Sequence, residues 1–181
     1  MGKILKINIT ALLLAGAIVT LMALTVGAAM MQPDIQKHAA CPYCGMDRAK
    51  FSHSRVFITY DDASTLGACS LHCAALDMAL NIDKAPDTVQ VGDYNTRNLI
   101  DAEKAVWVIG GSKMGVMTKR AKWAFESNGG AKKFVKQNGG QIITFEDALK
   151  ATYTDMYQDT RMIREKRKMM RMKKMKQKSK S

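Results

Sequence analysis

The chain has 181 residues, 47% of them hydrophobic, and a formal net charge of +12. That length leaves room for a targeting segment and one domain of ordinary size. The charge lies at the ends: residues 161–181 hold eleven Lys or Arg against Glu165, and Lys3 and Lys6 supply two more. The remainder is nearly neutral, so the folded part carries no overall basic signature of a nucleic-acid binder.

Residues 7–31 form a run of 25 residues without a charge, preceded by Lys3 and Lys6. This predicts an N-terminal hydrophobic helix, long enough to cross the inner membrane, with a cytoplasmic N-terminus. Gly27-Ala28-Ala29 also offers a cleavage point, so residues 1–31 read equally as membrane anchor or secretory signal. Both readings put the rest of the chain at the periplasmic or extracytoplasmic face of the cytoplasmic membrane. Residues 32–40 read as a polar linker.

Next comes Cys41-Pro42-Tyr43-Cys44-Gly45-Met46, three sulfur side chains within six residues. Pro42 stiffens this loop and Gly45 lets it turn sharply, so its sulfurs can converge. Residues 54–60, rich in β-branched and aromatic types, predict a strand. Ser64 is positioned to cap a helix running to about residue 81, with Leu66, Cys69, Cys73, Leu76 and Leu80 on one buried face. Strands are predicted at 88–94, 105–109 and 121–125. Ser127 or Asn128 opens a short helix through Phe134 and Val135, ended by Gly139-Gly140. A strand at 141–145 follows, and Asp147 starts a helix that reaches toward the tail.

Ile58-Thr59-Tyr60-Asp61-Asp62-Ala63 and Ile143-Thr144-Phe145-Glu146-Asp147-Ala148 match in residue type at all six positions. Each is predicted to end a strand leading into a helix, which suggests a duplicated unit. The expected architecture is α+β: two related β-β-α lobes in one compact domain at residues 41–155. The hydrophobic helix precedes it and a basic Met-rich tail, 156–181, follows.

Thiolate and thioether together are soft ligands that suit Cu(I), whereas thiolates alone suit zinc equally well. Cys44 and Met46, flanking a glycine, form a candidate bidentate soft pair, with Cys41 beside them. Cys69 and Cys73 stand one helical turn apart with His72 between them. They read either as core residues or as ligands that complete a set of four thiolates, or of three thiolates and an imidazole. His53 is a further candidate, and Met114 and Met117 offer two thioethers beside Gly115. Trp107, Trp123 and Phe125 read as core. Outside the cytoplasm four cysteines also allow two disulfides. Pairing within each CxxC-like group would close only a very small loop, and pairing across the groups would restrain more chain.

Residues 161–181 carry five methionines among their lysines and arginines, and packed positive charge repels a metal cation. The tail therefore reads as a solvated basic segment for anionic lipid or an acidic partner. There is no Ser/His/Asp arrangement, phosphate-binding glycine loop or distinctive carboxylate pair, so the chain does not read as an enzyme. CxxC redox catalysis normally places its motif at a helix start, and Gly45 followed by a strand argues against that.

The CxxCGM loop resembles that of the NosL family, copper-binding accessory proteins of nitrous oxide reductase maturation. Met114–Met117, the aromatic strand at Trp123–Phe125, Ala131–Phe134 and Gly139-Gly140-Gln141-Ile142-Ile143-Thr144-Phe145-Glu146-Asp147 extend the resemblance over residues 41–150. It implies a two-lobed fold that binds one Cu(I) through Cys44 and Met46 and passes it to a client copper enzyme or its maturation machinery. The second thiol pair, the basic tail and the lack of an N-terminal lipid-bearing cysteine depart from the family pattern. Residues 41–75, with CxxCG and the later Cys69-Ser70-Leu71-His72-Cys73, also resemble TRASH or YHS-type modules. That resemblance implies zinc or heavy-metal binding in sensing or trafficking.

Overall fold

A computed structural model of the chain describes residues 32–179. The apolar segment expected at 1–31 lies outside them. Among the described residues, no helix is long and apolar enough to cross a membrane.

The stretch expected as a linker is instead packed into the fold. Pro33–Lys37 forms a short helix (α1) with Pro33 in its first turn and Asp34 and Ile35 buried. Asp34 accepts from Arg48 Nη2 and from Arg55 Nε, each at 2.8 Å. Both guanidiniums are fully buried. Arg48 spends its other donors on the carbonyls of Ala68, His38, Val56 and Asp34 itself. Buried charges persist only when paired and hydrogen-bonded in this way.

Val56–Tyr60 (β1) alternates as a half-buried strand should, with Val56, Ile58 and Tyr60 inward. The chain then turns back into Thr65–Ala68 (β2), with Val56 opposite Ala68 and Thr59 opposite Thr65. The helix predicted from Ser64 therefore begins later, as Leu71–Leu80 (α2), with Ser70 at its N-cap. Gly67 explains part of the difference. A helix gains little from glycine, whereas here a Cβ would lie 2.4 Å from His38 Cβ and 2.7 Å from Arg48 Nη1. Of the predicted helical face, Leu66 belongs to β2 and Leu80 is 65% exposed.

Pro86–Gly92 (β3) pairs antiparallel with β1, and Leu99–Asp101 (β4), which the sequence did not suggest, pairs antiparallel with β3. The second sheet begins with Val106–Ile109 (β5) and Lys122–Phe125 (β6). Asn128–Asn138 (α3) follows, capped by Ser127, whose hydroxyl accepts from the Gly130 amide, and then Gln141–Ile143 (β7). The last helix, Phe145–Lys178 (α4), is capped by Thr144 rather than begun at Asp147. It runs without a break through residue 155, so no structural boundary separates domain from tail.

The sheets are ordered β2-β1-β3-β4 and β6-β5-β7, and every strand pair in them is antiparallel. This is mixed helix and sheet, as expected. Both halves share a β-β-α-β run whose first strand lies between the other two, with β4 added in the first half, more than the expected β-β-α. The hexapeptide echo does not mark equivalent positions: Ile58 lies in central strand β1, Ile143 in edge strand β7, and only the second leads into a helix. Asp93, just after β3, links the sheets through a bridge to Ala124 of β6 and accepts from the Glu126 amide. Trp107, Trp123 and Phe125 are core residues, each at most 2% exposed.

Candidate metal centre

Residues 40–47 make a tight hairpin. The Cys41 amide donates to the Met46 carbonyl at 2.9 Å and the Gly45 amide to the Cys41 carbonyl at 2.8 Å, while Ala40 bridges Asp47. Gly45 makes the reversal at φ +75°, a left-handed conformation that favours glycine. Cys41 is thereby turned into the core, and Cys44 is left half-buried at its edge. The second pair arrives from the opposite direction. Cys69 directly follows β2 and Cys73 sits in the first turn of α2, so the β1–β2 hairpin brings both beneath the loop. Tyr43 of the loop and Tyr60 of β1 both donate to Asp77 of α2, tying loop, strand and helix together.

All four Sγ atoms lie within 4.8 Å of one another. Cys44 and Cys69 are 3.4 Å apart, Cys69 and Cys73 3.8 Å. A tetrahedron of sulfurs about 2.3 Å from a central metal has edges of about 3.8 Å, so this donor set fits one soft ion with little rearrangement. All four thiols are free rather than paired in disulfides. Crowding divides their protons unequally. Hydrogen bonding from Cys44, then Cys69 and Cys73, holds Cys41 far below the usual thiol range. Cys69 and Cys73 are pushed well above it, first by their bonds to Cys41. At Cys44 the bond with Cys41 acts upward, but those with Cys69 and Cys73 prevail and the thiol is lowered.

His72 does not join this group. It is buried, and its Nδ1 faces Asp159 Oδ2 of α4 at 3.7 Å, neither atom having a hydrogen-bond partner. Burial lowers its pKa, against the pull of Asp159. The other Asp159 oxygen accepts from the Lys119 amide at 2.8 Å. His72 therefore couples α2 to α4 rather than adding an imidazole to the sulfurs. His53 lies edge-on to Tyr94 and tilted against Trp123.

Cys44 and Met46 open onto a groove of about 430 Å³ whose lining also includes His53, Met114, Met117, Met162 and Met170. Met114 is 82% exposed, and Met117 is half-buried at φ +60°. Arg167 Nη2 donates to the Cys44 carbonyl at 3.3 Å, placing α4 over the loop. The sequence reading missed Met162, Met170 and Arg167 by treating the tail as solvated. The signal was present: Met162, Lys166 and Met170 recur every four residues, one face of a helix.

A family model described as NosL matches residues 32–173. Among solved structures, the crystal structure of the copper chaperone NosL from Shewanella denitrificans is similar at 21% identity and a TM-score of 0.52. The match covers 66% of this chain and 96% of that one, and at this identity it speaks to the fold. No curated protein matches.

Proposed function

The chain belongs to the NosL family, and from that premise we propose that it is a non-enzymatic metallochaperone that binds Cu(I) and delivers it to a copper enzyme. Nitrous oxide reductase is the client the family suggests, with transfer taking place outside the cytoplasm. In this reading residues 1–31 are the membrane anchor or signal that carries the domain there, and the exposed basic end of α4 meets anionic lipid.

The observation that carries the reading is the change in exposure across the sulfur cluster. Cys41, Cys69 and Cys73 are at most 1% exposed, while Cys44 is half-buried with Met46 beside it at the groove. Thiolates supply tight, charge-compensating bonds to a soft monovalent cation. One thiolate within reach of solvent lets an incoming ligand displace it, which a fully enclosed site forbids. Cys44 and Met46 are thus the working pair and the buried thiols the store behind them.

The near-tetrahedral sulfur spacing supports a second reading, a structural zinc site of the knuckle type. Anaerobic titration of the reduced full chain with Cu(I), in competition with a cuprous chelator, separates the two. The copper reading expects Cys44→Ser and Met46→Leu each to weaken Cu(I) binding sharply. Tight zinc binding that needs all four cysteines but ignores Met46→Leu, with no tight Cu(I) binding, would replace it.

A further inference from the structure

Four methionines, Met114, Met117, Met162 and Met170, come from two separate stretches of chain to line one groove beside Cys44 and Met46. Met117 packs against the core, but packing does not account for Met114 and Met170. Met114 is 82% and Met170 57% exposed, so neither fills a core void. From these positions we infer that the groove is a second Cu(I) site, built of thioethers and completed by α4, through which copper passes between solvent and the thiol centre. The inference rests on the Cu(I) reading above and adds a separate site to it.

The two sites differ in the charge they offer. Thiolates neutralise a bound Cu(I), whereas thioethers are neutral and leave its full positive charge in place. Lys166 and Arg167 line the same groove, and a cation resting on thioethers is repelled by both. A site with soft donors and unfavourable charge selects Cu(I) over hard cations and holds it weakly. That is what a point of transit requires. The same lysine and arginine that argued against metal at the tail therefore set how weakly the groove binds.

Passage between the sites is ligand exchange without redox change. A copper–thioether bond breaks as the bond to Cys44 Sγ forms, and a thiol proton is released to solvent; outward passage reverses both. Arg167, bonded to the Cys44 carbonyl, keeps α4 over the loop while this happens. The groove is far larger than one ion, which leaves room for a sulfur side chain of the donor or client to enter the copper shell.

The test uses the full-length chain in detergent, labelled with ¹³C at the methionine methyls and titrated anaerobically with Cu(I) alone. Assignments come from single Met→Leu variants, a volume-conserving exchange that removes the sulfur. We expect the first equivalent to fill the thiol centre, and a weaker second to shift the Met114, Met162 and Met170 methyl signals. In the Met162→Leu/Met170→Leu double variant the second equivalent is lost, delivery to a cuprous chelator slows, and the affinity of the first equivalent is unchanged. Methyl signals of Met162 and Met170 that stay fixed at saturating Cu(I) would overturn the inference and leave the groove an apolar docking surface. Failure of the thiol reading shows up differently: no tight first equivalent appears, whether or not the methyl signals move.

Discussion

Ser70 precedes α2 in the first β-β-α-β unit, and Cys73 occupies that helix's first turn. At the matching point of the second unit Ser127 precedes α3, and Gly129-Gly130 fill the turn. Both helices connect the second and third strands of a sheet whose first strand is central. Their surroundings differ. Leu71 through Ala75 are all buried, with α4 packed over them through Tyr153 and Asp159, whereas α3 buries only Ala131 and Phe134. A shared connectivity thus delivers a strand end and a helix start to one place twice. Among the described residues, four thiols converge only where that place also receives a cysteine loop from the preceding segment and a cover from the last helix.

The asymmetry can be probed by weakening each unit at its own support. The largest effect is expected at Asp34, which pairs two fully buried arginines in the first unit, whereas Asp155 in the second pairs a buried lysine and a half-exposed arginine. Asp34→Ala leaves two guanidiniums short of their counter-charge and should cost about 3–5 kcal/mol, read from urea unfolding. A loss below about 1 kcal/mol, the value of a surface pair, would mean the network does not anchor that unit. The two helix caps come next. Ser127→Ala removes a made cap bond and should cost about 1 kcal/mol, while Ser70→Ala, with no side-chain cap bond to lose, should cost less. Equal losses in thermal unfolding would erase this distinction between the units. The smallest effect is expected from Tyr153→Phe, which deletes the bond from the Tyr153 hydroxyl to the Ala75 carbonyl. Tyr153 is 42% exposed, so water replaces part of that bond and about 0.5 kcal/mol is the expected cost. Faster amide exchange along α2, with α3 unchanged, would be its signature.

The sequence made the second unit more legible than the first. Ser127 and Gly139-Gly140 bracket α3 where local chemistry alone would put its ends, and β5, β6 and β7 follow their apolar runs to within a residue or two. In the first unit tertiary contacts override local preference. Thr65–Ala68 reads as the start of a helix until Gly67 is seen lying against Arg48 and His38. Residues 32–40 read as linker because nothing local reveals that Asp34 will meet two arginines, Arg48 and Arg55, well down the chain. At the centre, the CxxCGM spacing pointed to the family whose model the chain matches. Which sulfurs converge depended on the β1–β2 turn, and periodicity alone had placed Cys69 on the helix. The tail misled in the other direction, its charge count concealing the face that carries Met162 and Met170.

The unbroken course of α4 has a mechanical consequence. Asp159, Met162, Ile163, Lys166, Arg167 and Met170 succeed one another along one side of a single stiff rod. The residue wedged against His72 and the thioethers over the loop cannot be displaced independently. Lifting the rod to widen the groove would also withdraw Asp159 from behind the helix that holds Cys73, so opening the groove and loosening the buried end of the thiol cluster are one stroke.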